Sequence, residues 1–168
     1  ICLYTPVLSK IHGISEVVAG TGFGFMALGA YVTQTGVIDG VGISIFVPVA
    51  ILVGLLLFLN EFPDLEADKT AGRRHLAILL GRKKSVWIYI AGLLATYMAV
   101  FLAVASRVTP LTVLVSLVTA PIAYKAAMIV LKNYDQIPRL VPALALNVIL
   151  ILSTISLIAV GFLIAVYV

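Results

Sequence analysis

Long apolar runs separated by short polar interruptions set the plan of the chain. Residues 1–13 read as the end of an earlier helix and a loop: Pro6 breaks the helix, and Lys10, His12 and Gly13 mark an exposed turn. Ser15 is placed to cap a first full span over about 15–34. In that span Ala19, Gly20, Gly22, Gly24, Ala27 and Gly29 are small enough to let another helix approach closely. Residues 35–42 form a turn with no basic residue, and a second span covers about 43–60, with Pro48 as a kink near its start. A polar stretch at 61–85 follows. A third span fills about 86–106, with Ser85 as its cap and Trp87 and Tyr89 at interfacial depth. Arg107 to Pro110 turns the chain into a fourth span, about 111–131, which Pro121 should kink. Lys132 to Arg139 loops into a fifth, about 141–168, longer than a minimal crossing and so tilted or extended past the bilayer. No repeat, linker or low-complexity segment interrupts this order.

Composition turns the pattern into a class. The 168 residues are 62% hydrophobic and only 11% charged, where a soluble domain averages about 25% charged. Mean hydropathy is +1.20. The reading is an all-α integral membrane bundle of about five transmembrane helices plus the end of an earlier one. A single cysteine, Cys2, excludes an intrachain disulfide and a cysteine metal cluster. The net charge of +4 is not a nucleic-acid signature, because the basic residues sit in short loops between apolar spans. The chain starts without Met and in mid-pattern, and is expected to be incomplete at its N-terminus.

The basic residues also orient the bundle. Alternating loops put Lys10, the 61–85 cluster, Lys132 and Arg139 on one face, and Arg107 alone on the other. Lys125 can snorkel to the richer face. By the positive-inside rule that face is cytoplasmic, and the expected location is the cell membrane.

Four of the seven acidic residues lie between 61 and 68, and six of the eleven basic ones between 69 and 84. Asn60, Asp64 and Asp68 stand at i, i+4 and i+8. On a helix they drift by about 40° per step and rise about 6 Å, so they line one face. Pro63 should kink that helix or restart it, and Gly72 is placed to end it. An amide oxygen and two carboxylates suit a hard cation such as Mg²⁺, which shares its shell with substrate phosphate. Lys69, Arg73 and Arg74 stand where they can hold phosphate oxygens. Glu66 points about 200° from Asp64, into solvent. Glu61 reaches the oxygen-lined face only if Pro63 bends the helix. Arg82, Lys83 and Lys84 read as a topology anchor.

Asn60-xxx-Asp64-xxx-Asp68, then Lys69, Gly72 and His75-Leu76-Ala77-Ile78-Leu79-Leu80-Gly81, resembles the second aspartate-rich motif of the UbiA superfamily of intramembrane prenyltransferases. The wording from Asn60 to Lys69 is most similar to the MenA-like branch, which prenylates 1,4-dihydroxy-2-naphthoate. Tyr4-Thr5-Pro6, Gly13, Glu16, Gly20 to Gly24 and Leu28 to Tyr31 resemble that branch too. The resemblance implies the C-terminal portion, residues 1–168, of a nine-helix domain whose earlier helices and first aspartate-rich motif are absent here. It implies Mg²⁺ as cofactor, a polyprenyl diphosphate and an aromatic acceptor such as dihydroxynaphthoate as substrates, and Asp64 and Asp68 as catalytic metal ligands beside Asn60. Lys69, Arg73 and Arg74 would contact diphosphate. Tyr4 and Lys10 occupy the region of the family's tyrosine–lysine feature, without reproducing its Tyr-xxx-Lys spacing.

Other polar residues have plainer readings. Glu16 lies where a helix dipole favours an anion, or is a buried hydrogen-bonding group. Asn147 sits within a span and is expected to bridge helices. His12 and His75 are read as loop residues with no partner at ligand spacing. Tyr97, Tyr124 and the glycine-rich first span could line an isoprenoid tunnel, though core packing accounts for each alone. A rival function is a cation or solute transporter using Asp64 and Asp68, but transporters place such charges near the midplane. A purely structural membrane subunit leaves the charge spacing unexplained.

Overall fold

The computed structural model describes residues 14–167. Five helices follow one another: α1 (Ile14–Thr35), α2 (Gly40–Thr70), α3 (Leu76–Ala105), α4 (Ala120–Asn133) and α5 (Ile137–Ala165). A 3₁₀ helix, Leu111–Thr119, leads directly into α4. With that segment joined to α4, five helices are long and apolar enough to cross a membrane. The expected bundle is therefore present. The earlier helix end, with Tyr4 and Lys10, lies outside the described residues.

α2 is the central element, packed against α1, α3 and α5. Asp39 starts it, its carboxylate accepting the Gly42 N–H at 3.0 Å. α1 runs back along α2 through small residues. A Cβ on Gly20 would collide with the Ala50 carbonyl oxygen, and one on Gly24 would meet the Phe46 ring at 2.8 Å. The backbones thus meet at Gly20 and Gly54, as small residues permit in lipid, where packing drives helix association. The main core lies on the other side of α2. Leu55, Phe58, Leu59, Phe62 and Leu65 pack there against α3, α4 and α5.

Several boundaries differ from those read in the sequence. Ser15 sits inside the first turn of α1, donating to Glu16 at 2.6 Å rather than capping. Residues 61–70 are helix, so the charged motif is the end of a long helix and not a loop. Pro63 neither restarts nor ends α2. α3 begins at Leu76, ten residues before the third apolar run. Gly81 interrupts it at φ 74°, ψ 156°. Ser85 is consequently buried within α3 and caps nothing. Trp87 is exposed, but Tyr89 is fully buried and donates to Asn147 Oδ1 at 2.9 Å, so it belongs to the core and not the interface. Asn147 does bridge helices. Pro121 opens α4 instead of kinking it.

The 3₁₀ segment has a chemical basis. Its β-branched residues crowd an α-helix, and Ser116 and Thr119 donate to carbonyls three residues back, at 2.8 and 2.7 Å. That i−3 bonding competes with the α-helical ladder and suits the tighter winding. Thr112 adds a bond to the Gly161 carbonyl at 2.6 Å, locking the segment to α5.

Candidate functional site

The last turns of α2 carry the charged motif unbroken, so the i, i+4, i+8 spacing is realised on one helix. Relative to Asn60, the ideal azimuths are about 40° for Asp64, 80° for Asp68 and 100° for Glu61. This drift divides the motif into two edges. Asn60 and Asp64 are exposed, and their side chains make no ion pair among the described residues. Asp68 is half-buried, and Glu61, two turns earlier on nearly the same line, is buried.

Gly72 ends α2 as its position suggests. At φ +76° it takes the left-handed conformation that costs glycine least. The Arg73 N–H bonds the Asp68 carbonyl at 2.9 Å and the Gly72 N–H bonds that of Lys69 at 3.2 Å. This Schellman turn folds Arg73 back over the helix end, placing its Nη1 3.0 Å from Asp68 Oδ1. The chain then enters α3 at His75.

His75 corrects the sequence reading. It is not a partnerless loop residue but is 4% exposed, set between two carboxylates. Its Nε2 lies 3.2 Å from Asp68 Oδ2 with hydrogen-bond geometry. Its Nδ1 lies 3.2 Å from Glu61 Oε2, but that approach is misaligned and leaves both buried atoms without a hydrogen bond. Glu16 completes the cluster. Its Oε1 accepts the Leu76 N–H at 2.9 Å, tying α1 to the start of α3. Ligand atoms of Glu16, Glu61 and His75 all lie within 4.8 Å of one another. The i, i+7 spacing of Glu61 and Asp68 was the available signal for this cluster. Glu16 and His75 join it only through tertiary packing.

The candidate diphosphate contacts are dispersed. Arg73 pairs with Asp68, and Arg74 is exposed beside it. Lys69 faces another way, lining a recess of about 510 Å³ with Glu66, Arg82, Lys83, Lys84 and Asp135. Arg82 also donates from Nε to the Phe62 carbonyl at 3.0 Å, pinning α3 to the motif helix. Glu66 is exposed, as read. An apolar groove of about 270 Å³ runs from Glu16 past Gly54 and Phe58. It lies on the Glu61 side of α2, away from Asn60. Of the possible tunnel tyrosines, Tyr124 is exposed and Tyr97 hydrogen-bonds Thr119 at 2.8 Å.

The donor set offered by the open edge, together with Asp68 at its border, is hard oxygen: one amide and two carboxylates. It fits Mg²⁺ better than a soft metal. Asp68 keeps free lone pairs on both oxygens after its contacts with Arg73 and His75.

Comparison with known proteins identifies the family. The chain is 36% identical over 94 residues to the 1,4-dihydroxy-2-naphthoate octaprenyltransferase of Bacillus subtilis, covering 56% of the chain and 28% of that protein. It is 29% identical over 140 residues to the UbiA prenyltransferase domain-containing protein 1 of Gallus gallus, covering 82% and 41% respectively. The Danio rerio protein of the same name is 33% identical over 124 residues, covering 73% and 36%. The chain thus spans less than half the length of these relatives. No solved structure matches it significantly. The model of the UbiA prenyltransferase family matches residues 1–149, and with the aspartate-bearing helix end and the five-span bundle already in place, the chain belongs to that family.

Proposed function

We propose that the full protein transfers a polyprenyl group from a polyprenyl diphosphate to an aromatic acceptor such as dihydroxynaphthoate, in the cell membrane, as a step of quinone biosynthesis. One observation carries the reading: an open edge of Asn60 and Asp64, continued by Asp68, at the basic end of an apolar bundle of this family. The relative whose name specifies dihydroxynaphthoate supports that acceptor. Residues 1–168 would be the C-terminal part of one domain, with a complementary aspartate-rich half-site supplied by the rest of the protein.

In this reading Asn60, Asp64 and Asp68 hold Mg²⁺, which when bound would neutralise the diphosphate leaving group. Arg73 and Arg74 add positive charge at the same helix end, and Lys69, Lys10 and Tyr4 are further candidate diphosphate contacts. The apolar helices keep water from the allylic cation left when the C–O bond breaks. The excess of basic residues at this end puts it on the cytoplasmic side. A transporter is less well supported, because the carboxylates lie at a helix end and not at the bundle's midplane.

The test is a product assay on the full protein in lipid, with polyprenyl diphosphates of several lengths and a panel of aromatic acceptors, with Mg²⁺ or EDTA. Prenylated dihydroxynaphthoate that forms only with Mg²⁺ is the expected result. No prenylated product with any pair would overturn the proposal.

A further inference from the structure

We infer that His75 is a positioning residue, fixing the Asp68 carboxylate for a divalent cation through its Nε2. The inference rests on the metal reading of Asn60, Asp64 and Asp68 given above. Asp68 differs from Asp64 in being held at both oxygens: Arg73 Nη1 at 3.0 Å from Oδ1 and His75 Nε2 at 3.2 Å from Oδ2. The two holds are unequal. The Arg73 side chain is 55% exposed, and ion pairs in water constrain little. The His75 side chain is 4% exposed, so its hydrogen bond is shielded and its ring cannot turn freely. Carboxylates that ligate metals are commonly oriented by such outer hydrogen bonds, and losing one lowers metal affinity by about 10–100-fold.

The backbone that carries the ring is itself fixed. His75 stands at the N-terminal boundary of α3, its carbonyl accepting from Ile78 at 3.1 Å and Leu79 at 3.3 Å. The next residue is anchored to α1 through Leu76 N–H and Glu16. Glu61 closes off Nδ1 at 3.2 Å. An ionised carboxylate can only accept a hydrogen bond, and the aligned contact of the ring is the one to Asp68. That places the donated proton on Nε2. The sequence Gly72-Arg73-Arg74-His75 therefore does more than turn the chain: it brings a buried donor back to the carboxylate seven residues earlier.

Two amide substitutions separate the ring's nitrogens. In His75→Gln the side-chain amide nitrogen can reach the place of Nε2, whereas in His75→Asn it reaches only that of Nδ1. The experiment is Mn²⁺ binding to the full protein in nanodiscs, read by electron paramagnetic resonance with inorganic pyrophosphate present. Thermal unfolding is followed on the same samples. His75→Ala should weaken Mn²⁺ binding by about 10–100-fold. Gln should restore most of that affinity and Asn should not, even where all three variants melt alike. Equal affinity in wild type and His75→Ala, or equal rescue by Gln and Asn, overturns the positioning role and leaves the metal reading intact. If wild type binds no Mn²⁺ while remaining folded, the metal reading fails and the inference with it.

Discussion

The two edges of the last turns of α2 share one helix and opposite environments. Asn60 and Asp64 look outward with no ion-pair partner among the described residues, while Glu61 and Asp68 look toward α1 and the start of α3, where Glu16 and His75 meet them. The split follows from geometry: steps of four residues advance about 40° beyond a full turn, so the third member of the series reaches the packed side. Oxygens on the open edge are available to a ligand at little cost to the fold. On the closed edge most polar groups are engaged within the protein: Glu16 accepts the Leu76 N–H, and Asp68 is held by Arg73 and His75.

Substitutions should separate the edges, and the largest effect belongs to the open one. Asp64→Ala should lower Mg²⁺-dependent prenyl transfer by at least about 100-fold, since several kcal/mol of charge stabilisation depend on the metal. Its unfolding should stay within about 0.5 kcal/mol of wild type, as for other surface changes. A large loss of stability in Asp64→Ala would erase the distinction between the edges. Glu61→Ala should behave oppositely. It empties a buried position beside His75 and Glu16, and unfolding in detergent should reveal a loss of about 0.5–3 kcal/mol, as for other changes that leave a cavity.

Gly20→Val probes the packing that brings Glu16 to the closed edge. With the Ala50 carbonyl oxygen in the way, overpacking should cost about 1–3 kcal/mol. The half-saturating Mg²⁺ concentration should change less than in His75→Ala, because the Asp68 contacts are untouched. At the far end of α2, Asp39 gives the smallest effect. The Gly42 N–H first, then the Tyr31 hydroxyl, holds its carboxyl below the usual carboxylate range. Such a group contributes its stability above the unfolded-state value and loses it as pH falls through the lower folded value. Melting curves of wild type and Asp39→Ala should therefore differ slightly at neutral pH and converge in acid.

Most of the architecture was legible in the sequence, because lipid imposes long apolar runs and leaves charge only at their ends. Five runs became five membrane-length helices, and the Asn60–Asp64–Asp68 register came through intact. The helix ends were harder to read. Hydropathy marks where a helix leaves the apolar layer, not where it stops, so α2 was cut short at Asn60 and α3 started too late. Tyr89 was misplaced because an aromatic residue near a span's end reads as interfacial, while Asn147, nearly sixty residues on, draws its hydroxyl into the core. The closed edge was hidden for a related reason. Glu61 and Asp68 share a stripe seven residues apart, but nothing local says that α1 and His75 will cover it.

The location of a bound divalent ion decides between the two edges most directly. Crystals of the full protein soaked with Mn²⁺ and pyrophosphate would show it by anomalous scattering. A peak against the Asp64 and Asp68 carboxylates, with His75 still on Asp68, is the expected result. A peak enclosed by Glu16, Glu61 and His75, with Asp64 bare, would contradict the assignment of the open edge as the metal site.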